Sequence, residues 1–445
     1  MDSVPVLLLA ACVGLAASGI VVWCCRRFEV GVFLLVLSPW VSAVFVSNLD
    51  TTDVDLDRTT AGSYLRIGLL VMLGIVGAIQ FMRSRHSGRG ISLPMKLLGI
   101  FLLLSLISAS YSANPSTTLI RTTSGMAVFL FLIGLDSWLV NKERLDKTIT
   151  AILFMIVLMT IINALALVLW PGKAWAFEAS RFQGLSGQPN SMGSFCMTAY
   201  PVLIWKYMRS LSSQKYLIIL TAVVVGTLHL LTGSRGSFVG AVVGLCVWCL
   251  VKRDVARLLL ILAIAALAAG YVLEFRRGAL QREETDVTAL SGRPEFWTAS
   301  YELLMERPLL GYGYGVEGSV FRDWRFFDEQ SQMWMASMPL HNGYLTVAMG
   351  GGVISFLIWF AAVLIPFCWL GASGPSDYKA LVMSMASMLL LCNFIESVVT
   401  GPSGSGMLFW WAWVVAGKFG QPWMDEHLGI VVAPAIGASN EGSSL

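Results

Sequence analysis

The chain has 445 residues, 56% of them hydrophobic and 13% charged, with a mean hydropathy of +0.72 and a formal net charge of +3. A soluble globular chain carries about 25% charged residues, and half that amount cannot coat a water-facing surface of this length. A soluble enzyme, a disordered protein and a nucleic-acid-binding protein are excluded, which leaves an integral membrane protein.

Each span needs about 20 apolar residues, and reading the apolar runs in order gives thirteen candidates. They lie near 4–23, 29–46, 64–82, 97–112, 119–140, 148–170, 190–207, 216–232, 237–251, 258–275, 343–370, 380–398 and 405–420. The prediction is an all-α polytopic membrane protein of about 12–13 transmembrane helices with one large periplasmic loop containing short amphipathic helices. It divides into an amino-terminal bundle over 1–275, the loop over 276–341, carboxy-terminal spans over 342–420 and a disordered cytoplasmic tail over 421–445. The first 23 residues lack a basic leader and a small-residue cleavage site, so they read as a retained span. The eight cysteines fall in apolar stretches or at their ends, which argues against a disulfide framework and gives Cys246 and Cys249 a packing role.

Lysine and arginine set the orientation. One alternating set of short loops holds seventeen of them, from Arg26 through Lys418, against six on the opposite side, Arg58, Arg66, Arg121, Lys173, Arg181 and Arg235. The positive-inside rule makes the richer set cytoplasmic and the 276–341 loop periplasmic. The outer set, counting the loop, contains one lysine and twelve arginines. Topology alone has no use for outward arginine. Its planar fork grips phosphate or carboxylate through two parallel hydrogen bonds, so Arg66 and Arg121 at helix ends, together with Arg181 and Arg235, predict an anionic ligand at the outer leaflet. Pairing with acids such as Glu317 or Glu329 is the competing reading, favoured for arginines deep in the loop.

Four outward segments stand out. Ser180 to Asn190 is glycine-rich and runs through Pro189 into a span; Thr232-Gly233-Ser234-Arg235-Gly236 is a connection too short to leave the membrane surface. A charge held at that depth is a functional-site hypothesis by default. Gly292-Arg293-Pro294-Glu295 opens a helix with Trp297, Tyr301 and Leu304 on one face, ended by Pro308. The Gly311 to Gly315 run resembles a phosphate-cradling loop only superficially. The fourth segment, Pro339 to Gly343, holds His341, the one outward histidine; His229 lies inside a span and reads as a core residue. A histidine with a near-neutral pKa is a common general base.

Arg181 with Gly184 and Pro189-Asn190, then Ser234-Arg235-Gly236, then Gly292 to Trp297 with Arg307 to Gly313, then His341-Asn342 resemble, in that order, the O-antigen ligase and polymerase superfamily. The resemblance spans roughly residues 180–365; the first 170 residues match only as generic spans. It implies metal-independent, inverting glycosyl transfer from an undecaprenyl-diphosphate-linked glycan on the periplasmic face of the bacterial inner membrane, with no cofactor. His341, Arg235 and Arg293 are then the expected catalytic residues, and Arg181, Asn190, Ser234, Asn342, Arg121 and Arg66 the expected substrate contacts. The expected acceptor is lipid A-core for a ligase, with a slight lean to this reading, or another lipid-linked repeat for an O-antigen or exopolysaccharide polymerase. A transporter of lipid-linked sugars is disfavoured, because its path would place charges through the midplane and these arginines gather at the outer ends.

Overall fold

The computed structural model describes residues 17–45, 61–84, 90–176, 181–275, 293–320, 326–328, 333–335, 340–373, 376–400 and 404–427. The first candidate span before residue 17, Glu283 to Asp286 in the large loop, and the tail from 428 lie outside them. The described residues form an all-α polytopic membrane protein. Its helices are α1 (Ala17–Arg26), α2 (Phe28–Phe45), α3 (Ala61–Ser84), α4 (Leu93–Ile107), α5 (Pro115–Trp138), α6 (Lys142–Leu169) and the single turn α7 (Pro171–Ala174). There follow α8 (Pro189–Arg209), α9 (Ser212–Thr232), α10 (Arg235–Lys252), α11 (Val255–Phe275), α12 (Arg293–Glu306) and the short α13 (Glu317–Val320). The last three are α14 (Gly343–Ala372), α15 (Asp377–Cys392) and α16 (Gly404–His427). Among the described residues seven helices are long and apolar enough to cross a membrane. Two antiparallel ribbons complete the fold, β1 (Trp175–Ala176) with β2 (Arg181–Phe182), and β3 (Phe326–Asp328) with β4 (Met333–Met335).

The helix starts follow from local chemistry. Asn114, Asn141, Asn342 and Ser376 precede α5, α6, α14 and α15, and each side-chain oxygen accepts a first-turn N–H, as in Asn141 Oδ1 from Arg144 N at 3.0 Å. Pro115 and Pro189 occupy first positions, where the missing N–H costs nothing. The core is continuous from Phe28, Phe131 and Leu73 to Met197, Met388 and Trp411. Two buried tryptophans of the core find partners for their indole N–H: Trp411 donates to Thr148 Oγ1 at 3.0 Å and Trp413 to Ala362 O at 2.8 Å.

Three elements differ from the sequence expectation. The apolar run 380–398 predicts helix throughout, yet α15 ends at Cys392. The Asn393 carbonyl there accepts from Gly343 N at 2.8 Å and its side-chain oxygen from Val399 N at 3.0 Å, which turns the chain out of the helix. The last span, expected to stop near 420, continues to His427. The third difference is the face α12 buries: Ala299, Ser300 and Leu304 with Trp297 at its edge, while Tyr301 is exposed.

α14 is broken at Gly352, with φ 68° and ψ −176°. A bare break would strand polar backbone in an apolar bundle. The Gly311 to Tyr314 segment crosses it, Tyr312 N donating to Met349 O at 2.8 Å and Gly313 N to Gly350 O at 2.9 Å, while Val353 N donates back to Pro308 O at 2.8 Å. A side chain at Gly352 would land 2.2 Å from Leu309 O, so the approach requires glycine.

Helix direction gives the bundle two ends. At one, Asp377 at the start of α15 pairs with Lys252 and with Arg209 at 3.4 Å, and Arg209 reaches Asp146 at 3.7 Å. Lys252 holds the Asp377 carboxyl below its ordinary pKa. Lys418 and Asp136, 3.6 Å apart, lie at the same end. The starts of α8, α10 and α14 and the ends of α9 and α15 meet at the other.

Candidate active site at the arginine end of the bundle

His341 immediately precedes the cap residue of α14 and has φ 46°, in the left-handed region. A non-glycine residue there costs on the order of 1–3 kcal/mol and persists only where its surroundings over-determine it. They do so here. Leu340 is buried and its carbonyl accepts the Trp297 indole N–H at 3.0 Å, which docks α12 onto the turn. On the other side, Gly343 N is held by Asn393 O and Asn342 Oδ1 accepts from Tyr344 N and Leu345 N, both at 3.1 Å.

The same Asn393 turn delivers Glu396. Its Oε2 lies 2.9 Å from His341 Nδ1, with side chains 18% and 12% exposed respectively. A carboxylate accepts only, so Nδ1 carries a proton, and in the neutral ring the lone pair is then on Nε2. Glu396 Oε1 accepts from Asn190 Nδ2 at 2.6 Å, and Asn190 Oδ1 accepts from Arg181 Nη2 at 2.9 Å. Arg181 Nε donates to Thr232 O at 2.7 Å, at the end of α9. One hydrogen-bonded chain, His341–Glu396–Asn190–Arg181–Thr232, therefore ties together segments far apart in sequence.

Two residues past Ser234 on α10, Gly236 O receives the Cys392 thiol at 3.5 Å, which sets the start of that helix against the Asn393 turn. Arg235, its first residue, is exposed at this junction, whereas Ser234 is buried. Beneath it, Tyr200 OH lies 2.9 Å from His229 Nδ1, His229 Nε2 lies 2.8 Å from Ser237 Oγ, and Ser237 Oγ donates to Ser234 O at 2.9 Å. The single Ser237 hydrogen goes to Ser234 O, so His229 donates from Nε2 and accepts the Tyr200 proton at Nδ1. The ring is fully buried and stacks on Phe238 at 4.0 Å, the satisfied core histidine that its position in a span predicts.

The other expected residues are distributed as follows. Arg293 is the first residue of α12, and its side chain lies outside the described part. Arg121 forms an ion pair with Glu317 at 3.0 Å, the acid-pairing arrangement weighed against a ligand role. Arg66 is on α3, its Nε buried with no hydrogen-bond partner among the described residues. Asn342 has its carboxamide oxygen committed to the cap. The N–H groups of Gly311, Tyr312, Gly313 and Tyr314 all bind protein acceptors, so this run does not present them to a phosphate.

Sequence reasoning passed over Glu396 as a site residue. An acid at the end of an apolar run is a functional signal in itself, and it was available. The His341–Glu396 pair lines a cleft of about 310 Å³ with Asn190, Gln188, Trp40 and Phe195 among its other walls. A carboxylate-oriented imidazole beside a hydroxyl- and amide-lined space can take a proton from a bound hydroxyl. Arginines at the same end can hold an anion.

Residues 220–360 match the protein family described as O-antigen ligase, a stretch that contains Arg235, Arg293, His341 and Asn342. The chain is also 30% identical over 199 residues to the O-antigen ligase of Pseudomonas aeruginosa. That similarity covers 43% of this chain and 45% of the relative, so the chain spans under half the length of the curated protein it matches. By these similarities, and in its motif order, the chain resembles the O-antigen ligase family over part of its length.

Proposed function

We propose that the chain transfers a glycan from an undecaprenyl-diphosphate carrier to a sugar hydroxyl of a lipid A-core acceptor, at the periplasmic face of the inner membrane. The observation that carries this reading is the Glu396–His341 hydrogen bond at the arginine end of the bundle. His341 Nε2 takes the acceptor hydroxyl proton as the new C–O bond forms at the anomeric carbon and the bond to the carrier diphosphate breaks. Glu396 stabilises the imidazolium formed, the role a carboxylate plays behind a catalytic histidine. Arg235, Arg181 and Arg293 offset the charge developing on the departing diphosphate. Direct displacement by one acceptor oxygen inverts the anomeric centre. The donor is already activated, so base and arginines supply the chemistry without a nucleotide. Ligation is favoured over polymerisation of lipid-linked repeats because the named relative is a ligase.

A positioned general base contributes about 10²–10⁴-fold. In a purified assay with lipid-linked donor, His341→Ala should abolish transfer and leave donor binding nearly intact. Loss of donor binding along with activity would make His341 a phosphate contact, and near-normal turnover would remove both roles.

A further inference from the structure

A cavity of about 290 Å³ lies at the end of the bundle opposite His341, between the last turns of α3 and α5, the start of α4, and α16. α3 and α4 both pack on α5. All three are long and apolar enough to cross a membrane, so the space between their ends sits at headgroup depth and not in the middle of the hydrocarbon. Phe81 and Ile133, both half-buried, give it apolar walls. Ile91 and Val140 also line it and are exposed, which gives the opening an apolar rim.

Two opposite charges face this space, Asp136 on α5 and Lys418 on α16. Their side chains are 27% and 13% exposed, neither sealed in the core nor in open water. Lys418 Nζ stands 3.6 Å from Asp136 Oδ2, close enough for attraction but beyond the 2.7–3.2 Å of an N–H···O hydrogen bond. An ammonium has three donors and a carboxylate about four acceptor sites, so a ligand anion beside Lys418 and a ligand cation beside Asp136 can each gain a charge-assisted hydrogen bond. Ser137 Oγ commits its proton to Ile133 O at 2.9 Å, so toward a ligand it can only accept. A molecule that satisfies all three carries a phosphate-like anion and an N–H cation a short spacer apart. The apolar rim and the depth select a phospholipid over a soluble phosphate. Its head enters the cavity while its acyl chains lie along α3 and α4, where Met82 and Leu93 are exposed. The volume is at the small end of the roughly 300–1,000 Å³ of ligand pockets, which suits a headgroup alone. Spaces between transmembrane helices are used in this way for lipid heads.

We propose that this cavity binds the headgroup of phosphatidylethanolamine, with its phosphate on Lys418 and its primary ammonium on Asp136 and Ser137. Phosphatidylcholine has no N–H to donate, and phosphatidylglycerol brings no cation to Asp136. The site lies away from His341 and is independent of the glycosyl-transfer reading. The test uses the full-length protein, delipidated in detergent and titrated with each of the three lipids, with retention followed by native mass spectrometry. The wild type should hold phosphatidylethanolamine about tenfold more tightly than the other two, the factor expected of one hydrogen bond between charged groups. Asp136→Asn should remove that preference, and Lys418→Gln should weaken all three lipids. Ile91→Trp, which sets a large ring in the mouth from an exposed position, should weaken phosphatidylethanolamine without disturbing the core. Equal retention of the three lipids, or a preference that survives Asp136→Asn or Ile91→Trp, would overturn the assignment. Displacement of the lipid by free phosphoethanolamine would make this a site for a soluble ligand and overturn it too. Stepwise N-methylation of the headgroup tests the wild type alone, so a misfolded Asp136→Asn does not remove the test: affinity should fall as N–H donors are lost, and a flat series would sink the proposal.

Discussion

Glu396 Oε2 lies 2.9 Å from His341 Nδ1, joining residues 55 positions apart through the turn that Asn393 imposes after α15. Glu396→Gln keeps an acceptor for Nδ1–H and removes the charge that stabilises a protonated ring. The expected result is a fall in kcat of about 10²-fold or more, by analogy with loss of the acid behind a catalytic histidine, with KM for donor little changed. A kcat within threefold of wild type would reduce Glu396 to a structural partner.

The contrast between what sequence shows and what it hides is plain at this junction. Apolar runs fix where helices form because each span needs about 20 residues of hydrocarbon-matching length, and Asn or Ser before such runs marks the caps. Arg181, Asn190, Arg235 and His341 stand out by residue type at an outer boundary. The hydrogen bonds joining them do not, since Asn190 and Glu396 are 206 positions apart and periodicity carries no long-range information. Glu396 is visible as an acid at the end of the run 380–398, but its place beside His341 is not, because that run reads as uninterrupted helix and the break depends on Asn393 meeting the distant Gly343. Arg121 was open to either reading because its partner Glu317 is 196 positions away.

The backbone of His341 offers a separate test. Left-handed geometry costs a residue with a Cβ roughly 1–2 kcal/mol, so His341→Gly should be inactive yet at least as thermally stable as His341→Ala. His341→Val, with branching at Cβ, should be the least stable of the three. The thermal order Gly ≥ Ala > Val in detergent checks this, and a reversed order would show that φ here is not strained.

For the arginines, Arg235→Lys and Arg293→Lys keep charge and lose the planar fork. Hydrogen bonds to charged groups contribute about 1.5–3 kcal/mol, so loss of the bidentate grip should lower activity roughly 10-fold or more while the protein still inserts and folds. Arg181→Lys should behave differently. Its Nε and Nη2 already hold Thr232 O and Asn190 Oδ1, so kcat should fall through misplacement of Asn190 and Glu396. Full activity of the Arg235 and Arg293 variants would assign them to topology or loop pairing.

The 17-to-6 division of lysine and arginine between short loops predicts a periplasmic 276–341 loop. A cysteine at Glu284 should react with a membrane-impermeant thiol reagent in intact spheroplasts, and one at Ser87 should be protected until the membrane is opened. The reverse pattern would place the His341 end in the cytoplasm and remove access to a periplasmic acceptor.

His229 separates a core role from a catalytic one. Its ring accepts from Tyr200, donates to Ser237 and stacks on Phe238, with no exposed atom area to offer a substrate. His229→Phe preserves the stacking but leaves the Tyr200 hydroxyl without its acceptor, while Ser237 keeps its bond to Ser234 O, and a buried polar group so abandoned costs about 1–3 kcal/mol. The melting temperature should therefore drop, while specific activity per folded molecule stays within about threefold, below the 10²-fold effect of losing a general base. The paired change Tyr200→Phe with His229→Phe should recover part of the lost stability, because the stranded hydroxyl is gone. A His229→Phe protein that melts like wild type but fails to transfer glycan would place this histidine in the chemistry and contradict its assignment to the core.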